Sequence, residues 1–413
     1  MRLLQLTPGT GNFHCGGCLR DQALVQALRA RGHDVLLVPL YLPMVAESPG
    51  QTDDTPIFLS GLSVFLERKF RIPHWLDRVL SWPTLLRACA RLAHLTTSEN
   101  LGESAVAMLG QDPPDLNRLL AWLGAQPRFD VICLSNSLLS GLARRLKESL
   151  QAPVVATLQG EDVFLDGLPE PYRSRAWQRL AERCAELDGF IAVSRYFGEQ
   201  MRARLRLPAE RVQVVYNGIA LEGFAPADQP PPVPTVGFLG RMHHGKGLAL
   251  LADAFRRLNI PGARLRVAGA MTPADKPLVA AVRAQLGDRV EFLANPDRSA
   301  KIAFLQGLSV LSVPTLYAEA FGLYLLEAWA CAVPVVQPRH GAFPELIAAT
   351  GGGLLCEPRN ADSLAAALRE LLADPARARQ LGETGCAAVR EKFSVQRMAE
   401  AIERVLAAVA HRS

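Results

Sequence analysis

In the stretch "TLYAEAFGLYLLEAWACAVPVV" (315–336), two carboxylates, Glu319 and Glu327, stand eight positions apart among residues that are otherwise almost all apolar. A carboxylate in such surroundings is costly unless something pairs with it, so either a ligand or a buried cation has to be present. "EAFGL" reads as an irregular loop closed by glycine, and "LYLLEAWAC" as a short buried helix starting near Gly322. One acid is then on the loop and the other a turn into the helix. First-turn amides favour an anion such as phosphate, and carboxylates beside them accept hydrogen bonds from sugar or ribose hydroxyls. An internal ion pair at Glu327 is the competing account.

Two glycine-rich loops could contribute to the same chemistry. "GFLGRMHHGKGLALLADAF" (237–255) runs strand, loop, helix, with Arg241 and Lys246 at the strand's carboxyl end. Two cations with glycine amides make a diphosphate cradle, although solvated loop cations would look the same. It is not a P-loop, because Gly247 follows the lysine where that motif needs Ser or Thr. "LTPGTGNFHCGGC" (6–18) follows the first strand and allows close backbone approach, yet His14 stands where a dinucleotide fingerprint needs its third glycine. Cys15 and Cys18 have the spacing of a redox pair, or else flank the turn at Gly16 and Gly17 as small residues. Zinc would require a second such pair or an ordered His pair.

Positioning these loops requires a scaffold, and its pattern is repetitive. Short aliphatic runs at 2–6, 34–40, 130–134, 152–158, 189–193 and 212–216 read as buried parallel strands, separated by helical stretches such as "RDQALVQALRARG" and "SLLSGLARRLKESL". After the proline-rich "APADQPPPVP" (225–234) the alternation restarts with "TVGFLG", "RLRVAGA", "RVEFL", "LSVLSVP", "AVPVVQ" and "GGGLL". The expectation is an α/β protein of two Rossmann-like domains, 1–225 and 235–393, facing across a cleft that holds the ligand. The tail 394–413 is expected to return as an amphipathic helix to the first domain.

Composition bounds the function. The 413 residues suit two or three domains, with 49% apolar and 21% charged residues. A net charge of +5 is too mild to argue for nucleic acid. "MRLLQLTPGTG" lacks the apolar core of a signal peptide, no run approaches a membrane span, and the eight scattered cysteines read as reduced, so a cytoplasmic protein is expected. Residues 62–94 hold six Lys or Arg against two acids, interleaved with Phe70, Trp75 and Trp82. Such a segment either lies on an anionic membrane surface at its inner face or covers the sheet with its cations outward.

These motifs resemble a known family. "EAFGLYLLEAWACAVPVV" is similar to the E-x7-E signature of retaining glycosyltransferases of the GT-B architecture, family 4 in particular. "GFLGRMHHGKG", "RLRVAGA", "VVYNGIALEGF" and "HGAFPELI" resemble that family's accompanying segments, in order, over 211–393; the likeness over 1–210 is looser. The resemblance implies that Glu319 accepts hydrogen bonds from the donor sugar, that the amides of Phe321, Gly322 and Leu323 face sugar and phosphate, and that Glu327 holds the ribose. It implies that Arg241 and Lys246 neutralise the leaving diphosphate while Gly16 and Gly17 let backbone close on it. In "VVATLQGEDVFLD" (154–166), Gln159 stands where the family commonly has His, and Asp162 matches a family Asp expected near the acceptor. Glutamine forms hydrogen bonds but carries no charge and moves no proton at neutral pH.

The resulting expectation is a retaining transferase using a nucleoside-diphosphate sugar, with UDP expected from family habit, and a glycan, lipid-linked or small-molecule acceptor. No D-x-D triplet occurs, so neither a metal nor another cofactor is expected, and no protein nucleophile is nominated. A sugar-nucleotide epimerase of the same architecture and a non-catalytic nucleotide-sugar sensor are the alternatives.

Overall fold

The structure, a computed structural model, describes residues 1–9, 16–41, 98–110 and 116–412. Cys15, His14 and the basic aromatic segment 62–94, on which the redox-pair and membrane-surface readings fall, lie outside the described residues. Two compact units are present, Met1–Tyr216 with Met398–Ser413, and Asn217–Arg397.

The first unit carries β1 (Arg2–Thr7), β2 (Asp34–Pro39), β3 (Val131–Leu134), β4 (Val154–Leu158), β5 (Gly189–Ala192) and β6 (Val212–Val214). All pair in parallel, in the order β2-β1-β3-β4-β5-β6. The second unit carries β7 (Thr235–Leu239), β8 (Arg264–Gly269), β9 (Val290–Ala294), β10 (Val310–Leu311), β11 (Val335–Pro338) and β12 (Gly353–Cys356). Its order is β12-β11-β10-β7-β8-β9, again parallel throughout. Central strands such as β4 and β7 are buried at every position, as a parallel sheet covered by helices on both faces requires, whereas the edge strands β6 and β9 are partly exposed. The sequence expectation of two Rossmann-like sheets is what forms.

Strand order reverses direction between β1 and β3 in the first unit and between β7 and β10 in the second. The crevice outside the strands' carboxyl ends at such a switch point is where open α/β sheets bind ligands. In the second unit the loops leaving β7 and β10 contain Arg241, Lys246 and Glu319, so the motif residues sit where topology alone would place a site.

The division between units falls at Tyr216, before the proline-rich stretch 225–234. Residues 217–224 belong to the second unit because that unit holds their backbone. The Arg298 guanidinium donates to the carbonyls of Ala220 (3.0 Å) and Glu222 (2.8 Å) and lies over the Phe224 ring, and Ile219 forms a parallel bridge with Ser394. At the other end, the helix Val395–Ala410 gives Ile402 and Leu406 to an apolar layer with Leu3, Leu24, Leu28 and Ile191 of the first unit. Arg31 pairs with its Glu403 (2.6 Å) and Glu400 (3.4 Å).

The stretch "SLLSGLARRLKESL" is helical in two pieces, a 3-10 segment Ser137–Leu142 followed by an α-helix Ala143–Leu150. Asn136 starts the first piece by accepting from the Leu138 amide at 3.0 Å. Among the described residues six cysteines are free, five of them buried, and none pairs with another. No helix among the described residues is long and apolar enough to cross a membrane.

Candidate functional site

In the second unit, the loop after β7 is fixed at both ends before it presents any charge. The Met242 amide donates to Ala270 O (2.9 Å), and Gly245 O accepts from the Leu316 amide (2.8 Å) in the loop after β10. Within the loop, His243 Nδ1 accepts from the Gly245 amide at 3.1 Å. These ties bring Lys246 against Glu319, Nζ to Oε2 at 2.5 Å, with both side chains only 15% exposed. Burial works against the Lys246 ammonium, but the Glu319 carboxylate and Tyr317 outweigh it and hold its pKa above the ordinary lysine value. The ammonium lies 5.3 Å from the ring centroids of both Tyr317 and Tyr324, within cation–π range.

Glu319 is held from its backbone too. Its carbonyl accepts from the Ala342 amide at 2.9 Å in the turn after β11. The turn depends on Gly341, whose φ is +60° and where a Cβ would come within 2.6 Å of Glu319 N and O. The segment "HGAFPELI", noted in the sequence only for its resemblance, thus acts as a clamp on the first acid.

Helix Leu323–Ala330 begins after Gly322, which is at φ +95° and offers no side chain to cap the first turn. The Leu325 amide donates to Gly322 O at 3.0 Å, and no side chain caps the first turn, which leaves it without a competing side-chain acceptor for an anion. Glu327 lies in this helix and Lys301 in the helix Arg298–Gln306; Lys301 Nζ donates to Glu327 Oε1 at 2.6 Å, with side chains 15% and 16% exposed. Each of the two acids thus has a lysine partner. Ligand and internal cation, set against each other in the sequence, are compatible here, since a single ammonium leaves carboxylate lone pairs for hydroxyls. Phe321 is buried beside the loop, and Arg241 is exposed. His243 and His340 both have lowered pKa values: burial leads in each, with Arg241 and Lys246 adding to it at His243, and with Arg359 adding and a Thr315 hydrogen bond opposing it at His340.

The first unit gathers a different set of sequence candidates. Gln159 follows β4 and donates from Nε2 to Ser135 O at 2.5 Å, and its side chain lies beside Gly17. Gly16 opens the helix Gly16–Ala30 at an exposed position. Asp162 is buried; its Oδ2 accepts from Gln200 Nε2 at 2.9 Å, and its Oδ1 has no hydrogen-bond partner among the described residues. Burial raises the Asp162 pKa, against the Gln200 hydrogen bond.

Several residues of these clusters carried no sequence signal strong enough to single them out. Glu161 is buried and takes the amides of Ser137 (2.9 Å), Gln159 (2.9 Å) and Gly160 (3.0 Å) on its two oxygens. Burial raises its pKa, and the amide bonds oppose the rise. Asp21 is likewise buried, pairing with Arg20 at 2.8 Å, with its pKa raised by burial against Arg20, Ser135 and Thr7. Tyr317 and Tyr324 lie in the quoted stretch 315–336 but are not singled out there, and Lys301 lies 26 positions from its partner. Among the described residues no three His, Cys, Asp or Glu side chains cluster as a metal site would need.

Comparison with known proteins resolves the family. Residues 102–222 match the profile described as Glycosyltransferase Family 4, and residues 224–388 match Glycosyl transferases group 1. The chain belongs to the glycosyltransferases. Among similar curated proteins, the D-inositol 3-phosphate glycosyltransferase of Mycobacteroides abscessus is 28% identical over 236 residues, 54% of this chain and 52% of that protein. The alpha-maltose-1-phosphate synthase of Mycolicibacterium smegmatis is 33% identical over 254 residues, 55% of this chain and 65% of that protein. The matches thus span about half to two thirds of these relatives' length. Among solved structures, sucrose-phosphate synthase from Thermosynechococcus elongatus superposes with a TM-score of 0.75 at 21% identity, covering 100% of both chains. Anabaena HepE in complex with UDP and glucose gives 0.70 at 17% identity, covering 99% of this chain and 100% of that one. At these identities the likeness establishes a shared GT-B fold.

Proposed function

We propose that this glycosyltransferase moves a hexose from a nucleoside-diphosphate sugar, UDP-linked, to an acceptor hydroxyl with retention of configuration and without a metal. The observation that carries the reading is the joint placement of Lys246, Glu319 and an uncapped helix N-terminus at the switch point of the second sheet. A cation, a hydroxyl acceptor and anion-binding amides are what a sugar diphosphate requires. HepE, of the same fold, is known with UDP and glucose, which supports the choice of donor.

In this reading Glu319 holds sugar hydroxyls, Glu327 the ribose, and the amides from Phe321 to Leu323 the phosphate. Lys246 and Arg241 oppose charge as it builds on the leaving diphosphate, which is the largest stabilisation available without a metal. The bond from the anomeric carbon to phosphate oxygen breaks as the acceptor oxygen bonds on the same face. The acceptor's proton passes to the departing phosphate oxygen, so no protein nucleophile takes part. Gly16 and Gly17, which open the helix Gly16–Ala30, are proposed to face the ligand from the first unit, with Gln159 and Asp162 as its sugar or acceptor contacts. The acceptor class is a glycan, a lipid-linked sugar or a small molecule.

The test is a thermal-stability scan of wild type and Glu327→Ala with UDP, GDP, ADP and CMP and their sugars, followed by product analysis. A nucleotide at about 100 times its Kd adds roughly 2.7 kcal/mol of stability. Stabilisation by one nucleotide, lost in Glu327→Ala, together with transfer or slow donor hydrolysis, supports the proposal. An isomerised sugar nucleotide would make the chain an epimerase, and intact donor a sensor. No stabilisation by any of them would refute the donor site.

A further inference from the structure

Glu319 uses its two oxygens unequally. Oε2 accepts from Lys246 Nζ at 2.5 Å and from the Tyr324 hydroxyl at 3.2 Å, while Oε1 has no hydrogen-bond partner among the described residues. Two donors on one oxygen fix the rotation of the carboxylate and leave the other oxygen for a ligand. From these contacts we infer that Tyr324 is a positioning residue that aims Glu319 Oε1 at a hydroxyl of the donor sugar. The inference rests on the donor reading given above and adds the group that sets its geometry.

The placement of Tyr324 is specific. It sits in the first turn of the helix Leu323–Ala330, with its ring folded back beside Gly322, where a Cβ would meet Cζ at 3.2 Å and the hydroxyl oxygen at 3.3 Å. A side chain at 322 would push the hydroxyl away from Glu319. The ring is buried and also faces the Lys246 ammonium at 5.3 Å, so a single side chain touches both members of the ion pair. Burial, with the Glu319 charge next, holds the phenol pKa well above its ordinary value, so the hydroxyl remains a donor throughout the physiological range. A tyrosine needed only for packing could direct its hydroxyl to a backbone carbonyl. This one directs it to the carboxylate that is proposed to read the sugar.

The function follows from that division of labour. Lys246 alone, a point charge with three equivalent donors, would let the carboxylate rock between its two oxygens. Tyr324 removes that freedom through a rigid ring. Orientation of a bound substrate to within a fraction of an ångström is worth large factors in rate. Loss of the hydroxyl is therefore expected to affect sugar recognition and turnover while leaving the nucleotide and diphosphate contacts intact.

The experiment compares wild type, Tyr324→Phe, Glu319→Gln and the double variant, measuring Kd for UDP, Kd for the UDP-sugar and kcat. Tyr324→Phe keeps the ring, and an unchanged unfolding midpoint would confirm that the fold is intact. UDP affinity is expected to stay within about twofold of wild type, while kcat and the preference for UDP-sugar over UDP each fall about tenfold. The double variant is expected to fall no further than Glu319→Gln, because the hydroxyl acts only through that carboxylate. Wild-type kcat and donor preference in Tyr324→Phe, or additive losses in the double variant, would overturn the role of Tyr324 and leave the donor reading standing. Failure of wild type to bind any nucleotide would overturn both.

Discussion

The two units are alike in architecture, each a six-stranded parallel sheet with polar residues gathered beyond the strand ends, but they satisfy their acids differently. In the second unit Glu319 and Glu327 each meet a lysine and keep about 15% of their side chains exposed. In the first, Glu161 is buried and meets three backbone amides and the Ser137 hydroxyl, and Asp162 is held by the Gln200 amide and by backbone amides, with no lysine on either acid among the described residues. Acids held by ammonium groups in this way keep part of their side chains within reach of a ligand. Glu161, held by amides inside, serves the loop that surrounds it, and burial raises its pKa and that of Asp162. On the proposed reading, the difference sets the two ligand-facing acids of the second unit apart from Glu161, which holds its own loop.

Substitutions can break this comparison, and the largest effect is expected in the second unit. Glu319→Gln should lower kcat/KM for sugar transfer by roughly 100- to 1000-fold with little loss of stability, since an amide fills the same space; assay of nucleotide release checks it. Near wild-type release would place Glu319 among the merely structural acids. Lys246→Met should next cost about 3 kcal/mol in urea unfolding, the lower end for stranding one member of a mostly buried pair, and should weaken UDP binding as well. A variant as stable as wild type would show that solvent already screens the pair.

Glu161→Ala sharpens the contrast from the other side. It leaves three loop amides without their acceptor and should cost about 2 kcal/mol of stability, with any loss of activity following loss of folded protein. A purely catalytic defect at full stability would contradict the scaffold role. The smallest effect belongs to Asp162→Asn. Because the folded-state pKa of Asp162 is raised, ionising it opposes folding above that pKa, and the penalty disappears as pH falls through the raised value towards the ordinary aspartate range. The asparagine variant should therefore be about 1 kcal/mol more stable at pH 7 and equal to wild type in acid, as equilibrium unfolding against pH would show. Equal stability at both ends would remove the burial argument for this residue.

Much of this was legible beforehand, and the reasons are local. Mostly apolar runs such as "RLLQL" and "TVGFL" point to buried parallel strands because they are too short for helices and alternate with helical stretches. Gly322 marked the start of a helix because its αL conformation suits a chain reversal. The division of the chain was harder to read. Prolines mark where regular structure stops, but the boundary of a compact unit depends on what holds the intervening backbone, and Arg298 reaches back from 76 to 78 positions away to do so. Similarly, the helix expected over 137–150 starts as a 3-10 turn because Asn136 binds an amide two residues on, a competition that periodicity does not register.

The sequence by itself determined the chain's α/β alternation, the glycosyltransferase signature with Glu319 and Glu327, and the loop cations Arg241 and Lys246. These are short-range matters of residue type and spacing, decided within a turn or a strand. Only the tertiary structure decided that Lys246 belongs to Glu319 and Lys301 to Glu327, that Tyr324 shares the oxygen held by Lys246, and that Gly341 clamps the loop from beyond the next strand. Each of these joins groups brought together by folding, and the strength of a charge or hydrogen bond depends on its distance and burial there. Neither quantity exists until the sheets have formed.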